Sequence, residues 1–268
     1  MHPLVIRLGP ITIWSHDVFV LLGLAAALIV SWRTARRVGR ADQHLLWIMA
    51  GGLLAAAIFA RLGLVFRYLQ HADEPTLLGF FRYGGRTVLG GLAGGYAGVV
   101  LTKRVMGYRR SSGDLFAGGL ALGIAIGRIG CFLAERPGTV TSVPWGVRVP
   151  ADAAVRIVGC PPCLTGEPMH PSFLYESAFL VAASALLLNL TRRPALPARW
   201  MREGDLFKLF LLSYAVFRFA VEFVRGNPVM AFGLSGSQLM VLPSSIVLTA
   251  YFVHRWHRAD APLAVVSN

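Results

Sequence analysis

The sequence predicts an all-α integral membrane protein: a polytopic bundle of about seven transmembrane helices, with a long extracytoplasmic loop between the fourth and fifth. Three observations predict it. Hydrophobic residues make up 55% of the 268 and charged residues only 15%, and mean hydropathy is +0.59, more apolar surface than a soluble domain of this length needs. Apolar windows of about 20 residues, the length that crosses a bilayer core, recur along the chain. The basic residues behind the formal charge of +13 collect between those windows, so they read as topology signals and not as a nucleic-acid surface, despite a pI of about 10.8.

The seven windows lie at residues 16–33, 45–66, 87–102, 114–134, 172–190, 206–225 and 237–254. Residues 1–14 lack the basic start, apolar core and small-residue cleavage site of a signal peptide, so the first window itself is expected to direct insertion. The third is short and carries the run GGLAGGYAG from Gly90 to Gly98. Small residues at that density let helices approach closely. No strand precedes them, so a phosphate-cradling loop is not expected.

Loop charges set the orientation. Arg33, Arg36, Arg37 and Arg40 follow the first window, and Lys103, Arg104, Arg109 and Arg110 follow the third. Arg192, Arg193, Arg199 and Arg202 follow the fifth, while Arg255 and Arg258 follow the seventh. With seven spans these clusters share one side, the cytoplasm, which puts the amino terminus outside and the carboxyl terminus inside. Residues 1–259 are expected to form one transmembrane domain and 260–268 a disordered cytoplasmic tail.

The opposite side receives the segment from Glu135 to Pro171, whose seven prolines mark an ordered extramembrane loop. Within it Cys160 and Cys163 form C-P-P-C, compatible with a local staple, a redox pair or half a metal site. Only His170 follows nearby, short of the four ligands of structural zinc, so no metal is expected there. A thiol oxidoreductase built on C-P-P-C is a weaker alternative reading.

Arg128 is the anomaly in this pattern, because it interrupts the fourth window before the chain has had length to leave the bilayer. An ionisable group at such a position is costly and commonly faces a cavity, a partner or a charged ligand, unless it snorkels to the interface. Other polar residues gather toward the same outer face: His16 and Asp17, Glu135, His170 and Glu176, and the series Tyr214, Arg218, Glu222, Arg225. Spacings of four, four and three align that series on one helix face, where Arg218 and Glu222 can pair. Arginines recessed in the outer half of a bundle suit a phosphate, because the planar fork binds two oxygens and stays charged. In a membrane that phosphate belongs to a lipid head group.

At these residues the chain resembles the bacterial prolipoprotein diacylglyceryl transferase family. The likeness rests on G-R-I-G at Gly127 to Gly130, P-W-G-V at Pro144 to Val147, H-P-S-x-L-Y-E at His170 to Glu176, and the Tyr214, Arg218, Glu222, Arg225 series. Leu8 to Pro10, the double glycines of Gly90 to Gly95, Gln238 and Leu242-Pro243 extend it along nearly the whole chain. The resemblance implies transfer of the diacylglyceryl group of phosphatidylglycerol to the lipobox cysteine of a prolipoprotein signal peptide, forming a thioether and releasing glycerol phosphate. It implies a multi-pass enzyme of the bacterial inner membrane with no metal or organic cofactor. Arg128 and Arg218 would hold the phosphate, Tyr214 and Glu222 would orient Arg218 or the head-group hydroxyls, Arg225 would join the binding set, and His170 and Glu176 would support the outer rim.

Three positions depart from the family pattern. Leu89 stands where the family's H-G-G-L element has histidine, His16 replaces the tyrosine of the first span, and Cys131 replaces the asparagine after G-R-I-G. Leucine cannot take a proton. His16, beside Asp17, is the expected replacement base. The alternative is a diverged paralogue that binds or translocates anionic phospholipid, or uses another acceptor, without modifying prolipoproteins.

Overall fold

The computed structural model describes residues 5–8, 11–62, 88–150, 166–192 and 202–260. Seven helices carry the described chain: α1 Ser15–Arg37, α2 Gln43–Leu62, α3 Val88–Val105, α4 Gly113–Ala134, α5 Ser172–Arg192, α6 Asp205–Val221 and α7 Gly236–Asp260. Three two-stranded antiparallel ribbons accompany them: β1 Val5–Leu8 with β2 Ile11–Trp14, β3 Val147–Arg148 with β4 Pro168–Met169, and β5 Val229–Ala231 with β6 Leu234–Ser235. Each predicted window overlaps one of the helices, with residues 63–66 of the second and 87 of the third outside the described residues. Five of them (α1, α2, α4, α5 and α7) are long and apolar enough to cross a membrane. The other two, α3 with 18 residues and α6 with 17, fall short by that measure.

The sixth window ends earlier than expected. The α-helix stops at Val221, and Glu222–Val224 tightens into a 3-10 turn. The Tyr214 to Arg225 series therefore does not share one α-helical face. Its last two members sit where the chain leaves the helix.

The helices form two compact units. Residues Met1–Arg37 and Ser112–Asn268 belong to the first, and Val38–Ser111 to the second. In the first unit α1 lies against α4 through small residues. A Cβ on Gly23 would sit 2.3 Å from the Gly123 carbonyl oxygen, and one on Gly119 would meet Ser31 Oγ at 2.3 Å. Only glycine permits that approach, and dispersion between the closely packed backbones holds it in a membrane. Helix α5 is tied to α4 by two hydroxyls: Ser177 Oγ donates to the Ala125 carbonyl at 2.9 Å and Ser184 Oγ to the Gly118 carbonyl at 2.8 Å. Between them, Ala117, Ala121, Ala125, Leu180, Leu187 and Phe210 form the core shared with α6.

At the far end of α6 from Arg218, the fully buried Asp205 gathers Lys208 Nζ at 2.8 Å, the Tyr251 hydroxyl at 2.7 Å and Arg255 at 3.5 Å. That cluster pins α6 to α7. Large apolar side chains such as Leu21, Leu186, Ile246 and Val247 remain exposed on the outer faces of their helices. In water they would be a liability, whereas in lipid they are the solvated surface.

In the second unit the glycine-rich run of α3 is a packing seam, as the small-residue reading expects. A Cβ on Gly98 would meet the Gly51 carbonyl oxygen of α2 at 2.5 Å, and one on Gly94 the Phe59 Cβ at 2.3 Å. Asp42 caps α2, accepting the Leu45 N–H at 2.8 Å. Leu89 occupies the first turn of α3, with its side chain outside what is described. Cys160 and Cys163, the tail after residue 260 and the loop from Arg67 to Arg86 also lie outside the described residues.

Candidate active site

At one end of the first unit, α4, α5 and α6 bring predicted polar residues together. Glu176, one turn into α5, is fully buried, and three groups converge on it. Arg128 Nε from α4 lies 2.8 Å from Glu176 Oε1, at ion-pair distance without an aligned hydrogen bond from that N–H. The Tyr214 hydroxyl from α6 donates to the same oxygen. Arg225 Nη1 reaches Oε2 at 3.4 Å. Arg128 Nη2 in turn donates to the Tyr214 oxygen at 3.2 Å, closing a three-membered network. A buried carboxylate without partners would cost several kcal/mol, so this arrangement stands or falls as a unit.

Arg218 is held separately. It pairs closely with Glu222 one turn later, and its other terminal nitrogen lies 3.4 Å from the Ser237 hydroxyl. Glu222 is steadied from its far oxygen by Asn227 at 2.7 Å and by Ser235 Oγ at 2.6 Å. The serine is placed by a capping box at the start of α7. Ser235 N–H donates to Gln238 Oε1 at 2.9 Å and Gln238 N–H donates back to Ser235 Oγ at 3.4 Å. Arg225 follows the 3-10 turn, stacks over the Phe173 ring at 4.1 Å, approaches Glu135 at 3.7 Å, and is within electrostatic reach of both Arg128 and Arg218.

The charges in the recess are paired: Arg128, Arg218 and Arg225 face Glu135, Glu176 and Glu222, three against three. Each guanidinium carries five N–H donors, so donors remain for a phosphate even though the recess is formally balanced. Tyr214 serves Arg128 and not Arg218, and Glu176 is the centre of the network and not its rim.

The described residues between α4 and α5 are tied to this end by backbone hydrogen bonds. Thr139 N–H donates to the Val224 carbonyl, and His170 N–H to the Thr139 carbonyl, each at 2.9 Å. A Cβ on Gly138 would lie 2.5 Å from the Val224 oxygen and 2.6 Å from the His170 oxygen, so the P-G step at 137–138 is what lets the strand pass. The His170 side chain turns to the Tyr175 hydroxyl at 3.2 Å, which Trp145 Nε1 also contacts at 2.8 Å. His170 thus supports the loop, while the described contacts do not bring it to the arginines.

His16 opens α1 beside Cys131 near the end of α4, with Nδ1 and Sγ 3.8 Å apart, and Arg128 Nη1 lies 4.0 Å from the same sulfur. His16 therefore reaches the arginine network through Cys131. Sequence reasoning missed Ser235, Ser237 and Asn227 as supports. The S-x-x-Q pattern at Ser235 to Gln238 was the available signal, because that spacing before an apolar run marks a capped helix start.

The prolipoprotein diacylglyceryl transferase family model matches residues 3–254. The chain belongs to this family. Proteins from several bacteria, each named phosphatidylglycerol–prolipoprotein diacylglyceryl transferase, are similar along nearly their whole length. That of Chromohalobacter salexigens is 32% identical over 96% of this chain and 93% of its own length. The Gloeobacter violaceus protein is 30% identical over 97% and 96%, and the Trichormus variabilis protein 29% over 90% and 84%. Membership makes the apolar helices those of a bacterial membrane transferase.

Proposed function

We propose that the chain transfers the diacylglyceryl group of phosphatidylglycerol to the lipobox cysteine thiol of a prolipoprotein signal peptide, forming a thioether and releasing glycerol phosphate. The observation that carries this reading is the meeting of Arg128, Arg225 and Tyr214 on buried Glu176, beside the Arg218–Glu222 pair, at one end of a membrane bundle. The reaction breaks a carbon–oxygen bond to phosphate, so negative charge grows on the departing phosphate. Preorganised donors aimed at that charge lower the barrier and need no rearrangement at the moment of reaction.

Arg128 and Arg218 hold the phosphate in this reading, and Arg225 completes the positive rim. Glu176 and Glu222 fix the orientation of the guanidinium forks. Tyr214 sets Arg128, and His170 steadies the loop above. The acyl tails and the signal peptide enter sideways between helices from the outer leaflet, with seven spans, the amino terminus outside and the carboxyl terminus in the cytoplasm of an inner-membrane protein. The acceptor must react as a thiolate. Leu89 has no titratable group, so its deprotonation falls to the His16 side of the recess.

Purified protein incubated with phosphatidylglycerol and a synthetic lipobox peptide should yield a diacylglyceryl thioether detectable by mass spectrometry. Arg128→Ala and Arg218→Ala should each lower turnover on the order of 10²–10³-fold, the range for removing one charge-stabilising donor. Wild-type turnover in both variants at normal expression would sink the proposed site. Phospholipid binding with no thioether would instead point to a lipid carrier.

A further inference from the structure

Within the second unit, the carboxyl end of α3 forms an open pocket of about 410 Å³ lined by Val100, Lys103, Arg104, Gly107, Tyr108 and Arg109. The transfer reading does not use it. Its shape comes from the way α3 ends. Gly107 takes a φ of +65°, the Tyr108 N–H donates to the Lys103 carbonyl at 2.9 Å, and the Gly107 N–H donates to that of Arg104 at 3.2 Å, the paired bonds of a Schellman cap. The cap folds the chain back, so Tyr108 and Arg109 share the pocket with Lys103 and Arg104 instead of continuing the helix. Arg40 holds this turn by donating to the Ser111 carbonyl at 2.6 Å and to the Tyr108 oxygen at 3.4 Å, while Lys103 Nζ stands 5.6 Å from the centre of the Tyr108 ring.

The charge here is not balanced as it is around Glu176. No acidic residue occurs from Val88 to Gly113. Among the described residues of this unit Asp42 is the one acid, and it already faces the Leu45 N–H and His44. Beside the pocket the helix surface is apolar: Leu101 and Val105, one turn apart, are 63% and 80% exposed. A cationic pocket thus adjoins a strip of side chains suited to hydrocarbon.

We infer that this pocket binds the phosphodiester head group of an anionic glycerophospholipid of the cytoplasmic leaflet, with an acyl chain lying along Leu101 and Val105. The leaflet rests on the orientation in the proposed function, which puts this end of α3 inside. Arg104 and Arg109 offer planar forks to the phosphate oxygens, and Lys103 adds a point charge. Tyr108, accepting from Arg40, keeps its own proton to donate. The carboxyl end of a helix carries roughly half a negative charge, which three cations outweigh and which the cap bonds already engage. The anionic cytoplasmic leaflet attracts any basic segment next to the membrane. The cap adds fixed positions for the donors, and the apolar strip favours a lipid over a free phosphate ion.

The test uses the full-length protein in detergent, with bound lipid followed by native mass spectrometry. Phosphatidylserine, anionic and not the proposed substrate, should be retained. Phosphatidylcholine, with the same phosphate and no net charge, should not, and inorganic phosphate should not displace the bound lipid. Arg104→Ala combined with Arg109→Ala should weaken retention on the order of tenfold or more, at about fivefold for each basic residue. Arg109→Glu alone, at an exposed turn residue, serves if the double variant does not fold. A phosphatidylserine with a photoreactive acyl chain should label the peptide around Leu101 and Val105, and Arg128→Ala should leave that labelling intact. Equal retention of phosphatidylcholine would reduce the site to ordinary lipid solvation, and displacement by inorganic phosphate would make it a site for the free ion; either overturns the inference. So would labelling that falls in Arg128→Ala and survives the double variant, because the lipid would then belong to the arginine recess. An active phosphatase fusion after Arg110 with labelling intact would overturn the orientation, and with it the leaflet, but not the lipid site.

Discussion

Glu176 is the residue on which the Arg128, Tyr214 and Arg225 side chains converge. It is fully buried and meets Arg128, Arg225 and Tyr214. Glu176→Ala should destabilise the protein by about 3–5 kcal/mol, because it leaves buried guanidinium charge without its partner. Glu176→Gln keeps the shape and loses the charge, so it should fold but turn over on the order of 10²-fold more slowly, as expected when positioning slips by about an ångström. Thermal unfolding in micelles and thioether yield separate the two effects. Unaltered turnover in the glutamine variant would show that Arg128 is oriented by Tyr214 alone. Arg218→Lys belongs with these: its charge survives but the planar fork is lost, so recovery relative to Arg218→Ala should be small.

At the scale of elements, the ends of helices matter more than their middles. Helix α6 stops at Val221 and gives Glu222 to a 3-10 turn, where Ser235 from the capping box of α7 can reach it. Ser235→Ala removes a cap worth about 1 kcal/mol and also a partner of Glu222, so stability and turnover should fall together. Gln238→Ala, which loosens the box but leaves the serine hydroxyl, should mainly affect stability. The glycine seams have the same standing. Gly123→Leu would drive a side chain into the α1 backbone, where Gly23 O stands 2.6 Å from a Cβ. Overpacking of this kind costs about 1–3 kcal/mol, read as a lowered Tm in micelles.

For the whole molecule, the testable property is topology. Five helices reach spanning length and apolarity, while α3 and α6 do not by that measure. The basic clusters nevertheless share one side only if both cross. Alkaline phosphatase fusions ending after Arg37, after Arg110 or after Arg192 should be inactive, and a fusion ending near Gly166 active. Activity in the Arg110 fusion would mean that α3 does not span, and the orientation of everything after it would need to be redrawn.

Hydropathy and charge spacing determined the membrane class and the place of each helix, because lipid leaves the backbone no alternative to internal hydrogen bonding and apolar windows report that directly. The motifs around Arg128, Glu176 and Arg218 were also legible, since ionisable residues in apolar runs are rare enough to stand out. The pairing was not. Whether Tyr214 serves Arg128 or Arg218, and whether Glu176 stands at the centre or the rim, depends on how three helices rotate about their axes. The same holds for His16 and Cys131, separated by 115 residues and joined only where glycines let two backbones approach. Sequence carries periodicity within an element, whereas contact between elements is set by side-chain volume across an interface, and that only the tertiary structure decided.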